Sequence, residues 1–241
     1  MVRVDGRRPD ELRPVEIIPN VNKFAEGSCL IRCGNTQVLC TASVAEGAPP
    51  HVAEGCGWVT AEYSMLPRAN RTRSRRDVSK LKLSPRSAEI QRLIGRSLRA
   101  CVDMRGLGER TITVDCDVLQ GDGGTRTASV TGGFVALSLA LWKLVQDGVL
   151  AQMPLKTCVA AVSAGIVGDE ALLDLCYEED SGAQVDLNCV MTGEGELVEL
   201  QGTGEGRPFT VAEQRSLVDL CAKGIGALQA IQRQVLGGEE K

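Results

Sequence analysis

Residues 127 to 147, "TASVTGGFVALSLALWKLVQD", carry apolar side chains around the whole circumference of a helix rather than along one stripe. A helix of this kind has no face to give to water, so other elements must enclose it. The longest apolar stretch, Phe134 to Trp142, is too short to cross a bilayer, which predicts a soluble core helix. At 241 residues with 43% hydrophobic content, the chain has enough material for such a core. Aromatic residues are only 3%, so Leu, Val, Ile, Ala and Cys must build it.

The elements that enclose this helix can be read from periodicity. "GSCLIRCGNTQVLCTASV" has two strand-like runs around Gly34-Asn35 and predicts a hairpin. "SPRSAEIQRLIGRSLRACVD" places Ile90, Leu93, Ile94, Leu98 and Cys101 on one helical face, with Ser84-Pro85 or Ser87 as its start. "RTITVDCDVLQ" alternates Ile112, Val114, Cys116 and Val118 with polar residues, as a half-buried strand does. Residues 155 to 206 form a train of short strands with glycine turns. "TVAE", Thr210 to Glu213, has the form of a capping box. The helix behind it buries Leu217, Leu220, Cys221, Ile225, Leu228 and Ile231. The order strands, helix, strand, helix, strands, helix predicts an α+β sandwich with mixed sheets and packed helices.

Several function classes are excluded by composition. A net charge of -4 gives no global attraction for nucleic acid. The ten cysteines are about 4% of the chain, too sparse for a disulfide scaffold. Most lie in strand-like stretches, among them Cys40, Cys116, Cys158 and Cys189, and read as reduced core residues of a cytoplasmic protein. With a single histidine, His51, and no CxxC, the usual zinc clusters are absent. The amino terminus shows no apolar signal core, and no membrane partner is implied.

"GDGGTRTAS", Gly121 to Ser129, joins the strand to the apolar helix. Open N–H groups and the positive end of the helix dipole meet there. Glycines allow close approach, Thr125 offers a hydroxyl, and Arg126 offers a planar fork for phosphate oxygens. The motif is neither a Walker loop nor a dinucleotide fingerprint. The same residues also suit a plain glycine turn whose arginine faces solvent. Asp180 and Asp186 flank a predicted hairpin turn in "YEEDSGAQVDLNC". By spacing alone they read first as a turn start and a solvent-facing strand residue, and they also suit a Mg²⁺ site. "PRANRTRSRRDVSK" gathers Arg68, Arg71, Arg73, Arg75, Arg76 and Lys80 against Asp77 alone. It reads as an RNA-backbone patch or as a solvated loop.

The blocks "SPRSAEIQRLIGRSLRA", "VDCDVLQGDGGTRTAS", "LDLCYEEDSGAQVDLNCVMTG" and "ELQGTGEGRPF" together resemble the ribonuclease PH family. So do "DGRRPDELRPV" and "AEYSMLPRANRTRSRRD", so that the resemblance runs in order along the whole chain. Gly121 stands where the family has alanine, and Pro85 where it has glycine; neither change removes a functional group. The resemblance implies one ribonuclease PH-like domain over residues 1–241, a two-layer sandwich of duplicated βαβ-type units. It implies a phosphate-dependent 3′-to-5′ exoribonuclease that releases nucleoside diphosphates and runs backwards as a nucleotidyltransferase. Its implied substrates are transfer RNA precursors and other RNA 3′ ends, and its implied assembly is a homohexamer, a trimer of dimers.

Carried over by position, Arg86, Gly124, Thr125 and Arg126 would bind the co-substrate phosphate. Asp180 and Asp186 would hold Mg²⁺ or Mn²⁺, with Asp180 alternatively a general acid. Arg86, Arg126, Asp180 and Asp186 would be the catalytic set, and Arg68, Arg71, Arg73, Arg75 and Arg76 would bind RNA. An exosome-type ring subunit, either catalytic with a partner or an RNA-binding scaffold, is the other member type the resemblance allows.

Overall fold

The computed structural model describes residues 3–76 and 84–237; Asp77 and Lys80 of the basic run lie outside them. Strands β1 (Val15–Pro19), β2 (Gly27–Cys33), β3 (Thr36–Glu46), β4 (Trp58–Met65) and β5 (Arg110–Gln120) form a five-stranded sheet in the order β1-β2-β3-β5-β4. The predicted hairpin is β2–β3, with Cys33 opposite Thr36 across Gly34-Asn35. Pairing is mixed, since β5 runs antiparallel to β3 and parallel to β4. Parallel neighbours need a crossover. Helix α1 (Pro85–Ala100) supplies it, followed by the single turn α2 (Met104–Leu107). Ser84 caps α1 by accepting the Ser87 N–H at 3.0 Å, and Pro85 occupies the first turn, where its missing N–H costs nothing. All the apolar positions assigned to its inner face are buried.

Helix α3 (Thr125–Gln146) is the enclosed helix that the sequence requires. Its 22 residues are long and apolar enough to cross a bilayer, with a mean hydropathy of 1.6, so the length argument from Phe134 to Trp142 does not hold. The polar Thr and Ser turns before that run extend the helix without breaking it. What occupies the helix is protein, which buries 83% of its most apolar stretch. Close approach is part of the design. A Cβ at Gly27 on β2 would lie 2.1 Å from the Ala136 carbonyl oxygen, and one at Gly132 would lie 2.7 Å from Ile31.

The second sheet has four strands in the order β7-β6-β8-β9. They are β6 (Val159–Val167), β7 (Glu170–Leu173), β8 (Val185–Thr192) and β9 (Leu197–Thr203). The single turn α4 (Tyr177–Asp180) lies between β7 and β8. Both faces of β6 are buried, which explains its unbroken run "VAAVSAGI". Val159 and Ala161 join the core around α3, while Ala160, Val162 and Ala164 face helix α5 (Val211–Gly237).

The capping box at the start of α5 forms as read, with Thr210 and Glu213 exchanging hydrogen bonds. Leu217, Cys221, Ile225 and Leu228 are buried, whereas Leu220 and Ile231 are only partly covered. Two glutamines take unexpected core positions. β7 pairs only with Ala164 to Val167, leaving the earlier edge of β6 open. Polar side chains satisfy that edge: Thr131 bonds both the N–H and the carbonyl of Ala161, and Gln232 donates to the carbonyls of Val159 and Thr131. Gln229 donates to the Thr192 carbonyl.

The tight seam between β2 and α3 can be tested. Gly27→Ala should cost about 2–4 kcal/mol by overpacking. Gly226, exposed on α5 with open space around it, is its control, because Gly226→Ala should gain about 0.5–1 kcal/mol. Urea unfolding of both variants checks this; a Gly27→Ala protein as stable as the parent would refute the seam.

Candidate active site

The strand β5 ends at Gln120, and the chain must turn sharply to start α3. Gly123 and Gly124 take left-handed backbone angles, φ 76° and 62°. A Cβ at Gly123 would sit 2.5 Å from the Leu175 carbonyl, so only glycine fits there. Gly124 is the N-cap of α3 and offers no side-chain cap. The leading N–H groups of the helix are thereby left for a ligand. Gly121 is bonded to the Ala69 carbonyl at 2.8 Å, tying this turn to the start of the arginine segment.

Around the turn lies a cleft of about 360 Å³ lined by Arg86, Gly124, Thr125, Arg126, Ser163, Asp180, Asp186, Asn188 and Glu205, among others. All the residues assigned from sequence to phosphate and metal therefore line one cleft. Arg86 stands in the first turn of α1. Arg126 donates to Gln201 at 2.9 Å and to Glu89 at 3.3 Å, which holds its guanidinium at the rim. The Thr125 hydroxyl lies 2.9 Å from the hydroxyl of buried Tyr63.

Asp180 and Asp186 do not flank a hairpin. Asp180 ends the helical turn α4, and β7 and β8 both pair with β6 rather than with each other. The reason is Glu179, which accepts the Cys176 N–H at 3.1 Å and winds the chain into a turn. Nor does Asp186 face bulk solvent. It stands opposite Gly165 on β6 and accepts from Asn188 at 3.0 Å.

The electrostatics of the cleft are divided. Burial pushes the Asp186 carboxyl up to about 6, with the nearby Asp180 charge adding to it and Arg126 opposing. Burial also raises Asp180, and Arg86 and Arg126 pull it back. A half-buried carboxyl whose ionisation the neighbouring Asp180 charge opposes is a fitting place for a divalent cation. Among the described residues no group of three His, Cys, Asp or Glu side chains gathers to cage a metal. The pair thus suits an ion such as Mg²⁺ that keeps waters and takes substrate phosphate oxygens as ligands.

The exposed arginines Arg68, Arg71, Arg73, Arg75 and Arg76 are not in this cleft. Arg68 and Arg71 line a wider one of about 720 Å³ on the other side of the Asp122 turn. That cleft lacks both aspartates and the leading residues of α3. Arg71 also lies over the Tyr177 ring at 5.5 Å.

Tyr63, Ser163, Asn188, Gln201 and Glu205 escaped the sequence reading. The strand alternation in "VDLN" puts Asn188 on the face of Asp186 and could have revealed it. Ser163 enters only through its pairing with Asn188.

Residues 11–142 match the family model described as 3′ exoribonuclease family, domain 1, and residues 157–221 match domain 2. The chain is 58% identical over 238 residues to ribonuclease PH of Moorella thermoacetica, covering 98% of this chain and 95% of that protein. It is 57% identical over 232 residues to ribonuclease PH of Neisseria gonorrhoeae, with 96% of each covered. A solved structure of an Archaeoglobus fulgidus exosome with RNA bound to the active site superposes with a TM-score of 0.80. Identity there is 27%, over 95% of this chain and 91% of that one. The chain belongs to the ribonuclease PH family of 3′ exoribonucleases, phosphorolytic enzymes that shorten RNA from its 3′ end with inorganic phosphate as co-substrate.

Proposed function

We propose that the cleft is the phosphorolytic site, with Arg86, Gly124, Thr125 and Arg126 holding inorganic phosphate and Asp180 and Asp186 holding Mg²⁺ or Mn²⁺. The observation that carries this is the meeting of residues from α1, α3, α4 and β8 in one cleft of about 360 Å³. Phosphate and the RNA phosphodiester are both anions, so their approach requires prior neutralisation. The helix N–H groups supply fixed positive charge at no reorganisation cost, and the two arginines add theirs. A cation at the aspartates supplies charge stabilisation at the scissile phosphoryl group and the leaving 3′ oxygen. Asn188 orients Asp186, and Gln201 with Glu89 keeps Arg126 at the rim until phosphate is present.

The RNA body is assigned to Arg68, Arg71, Arg73, Arg75 and Arg76, whose exposure leaves their charge free for a phosphate backbone. Substrates are transfer RNA precursors, and the assembly is a homohexamer. The chain works as a single domain; a core cluster that joins Val159 and Ala161 to α3 and the first sheet supports this. All ten cysteines are free thiols, which favours a reducing cytoplasm.

A transfer RNA with extra 3′ nucleotides tests the reading. Trimming should stop in phosphate-free buffer and yield nucleoside diphosphates when phosphate returns; monophosphates released without phosphate would refute it.

A carboxyl held above its ordinary pKa binds its proton more tightly folded than unfolded. Ionisation of Asp186 therefore weakens the fold as pH rises through about 6. Asp186→Asn should raise stability by roughly 1–3 kcal/mol at pH 7 without divalent cations, while abolishing turnover. In the parent, activity at limiting Mg²⁺ should fall as pH drops below about 6, and more Mg²⁺ should move that limb lower. A flat profile, or a destabilised variant, would contradict the carboxylate pair.

Replacing Arg73, Arg75 and Arg76 with Ala should flatten the log-log salt dependence of transfer RNA binding by about 2–3. Unchanged affinity across salt would return the segment to a solvated loop.

A further inference from the structure

The turn that presents the phosphate grip is held from beneath by side chains outside the cleft. Arg13, on the segment leading into β1, is buried. Its Nη1 donates to the Asp122 carbonyl at 2.6 Å and to the Gly123 carbonyl at 3.5 Å. Its Nη2 sits so close under Gly124 that a Cβ there would be 2.9 Å away. Thr36, the first residue of β3 and fully buried, works from the other side. Its hydroxyl donates to the Gly123 carbonyl at 2.7 Å and accepts the Asp122 N–H at 2.9 Å.

Arg13 is itself aimed. Asp174 accepts its backbone N–H at 2.8 Å, its Nε at 3.0 Å and its Nη2 at 2.7 Å. Asp174 holds φ 53°, a region that favours glycine. Arg3 and Arg7 pin its carbonyl at 3.2 and 3.0 Å. Arg3 also grips Glu179 through both carboxylate oxygens at 2.7 Å, one residue before Asp180. Strained backbone persists only where its surroundings over-determine it, and such places cluster at functional sites. A buried ion pair is weak evidence for stability, and its best-attested use is to fix one register or geometry.

We propose that Arg13 and Thr36 are positioning residues for the attacking phosphate. They fix the carbonyls of Asp122 and Gly123, so that the leading N–H groups of α3 face the cleft before phosphate arrives. Asp174 sets the plane of Arg13, and the same N-terminal arginine cluster steadies α4 and its aspartate. Neither Arg13 nor Thr36 lines the reaction cleft, so both act through the turn. This rests on the reading of Gly124, Thr125 and Arg126 as the phosphate grip.

The test uses the full chain with inorganic phosphate as the titrant. Thr36→Val keeps the shape of the side chain and removes only its hydroxyl. It should raise KM for phosphate about 5- to 20-fold while KM for RNA stays within about twofold. Arg13→Lys should raise it further, because an ammonium cannot bridge Asp174 and the turn in one plane. The rise in melting temperature that phosphate induces should shrink in parallel.

A merely structural role would lower the melting temperature or the active fraction and leave both phosphate readouts unchanged. That result in Thr36→Val overturns the inference, even where Arg13→Lys fails to fold. Arg126→Ala, read by the same phosphate-induced shift, separates the two levels. A full shift in Arg126→Ala removes the phosphate grip itself. A lost shift there, with normal values in Thr36→Val, removes only the positioning role.

Discussion

Enclosure of α3, from its first turn to Leu141, is the constraint on which the rest of the structure depends. A helix with no polar face can be stable in water only inside a shell, and both sheets and α5 contribute to that shell. The seam at Gly27 and Gly132 brings backbone so close that the helix cannot shift along β2 without collision. Thr131 and Gln232 then bond it to the open edge of β6. A helix fixed along its length has a fixed first turn. That is why an anion grip can be placed there with so few side chains: the core supplies the rigidity and the helix end supplies the N–H groups.

The cleft at that helix end runs against the interests of the fold. Asp186 is half-buried, the charge of the more exposed Asp180 adds to the cost of ionising it, and Arg126 offsets only part of that. A sequence selected for stability alone would have neutralised one of the pair. The cation proposed for the pair would offset that cost. On the same reasoning, Arg126 spends its resting state on Gln201 and Glu89, rim partners that leave its guanidinium near the cleft.

Local patterns were legible from sequence, and long-range pairings were not. The β2–β3 hairpin, the buried face of α1, the alternation of β5 and the capping box of α5 are each set by spacing within one element, and each forms as read. The aspartates were read as the flanks of a hairpin because "DSG" is a turn signal. Glu179, bonded to Cys176 and to Arg3 far away in sequence, makes a helical turn instead. Tyr63 against Thr125 and Arg13 against Asp174 are contacts between distant segments, invisible to any window along the chain. Arg86, Gly124, Thr125, Arg126 and the two aspartates of the cleft stand in the sequence blocks; Ser163, which lines the same cleft, and the residues that hold those blocks in place required coordinates.

The separation of the arginine segment from the cleft has a physical rationale. Holding an RNA chain requires many weak, screened contacts that release as the strand advances. Holding the attacking phosphate requires a few strong contacts in a desolvated place. One surface cannot do both well, because cations strong enough to fix phosphate would also trap the RNA backbone. Here exposed arginines stand on a loop tied to Gly121, while the cleft draws its positive charge from a helix end and two arginines. On the proposed roles, the glycine turn between them joins recognition to chemistry, and at Gly123 there is no room even for a Cβ.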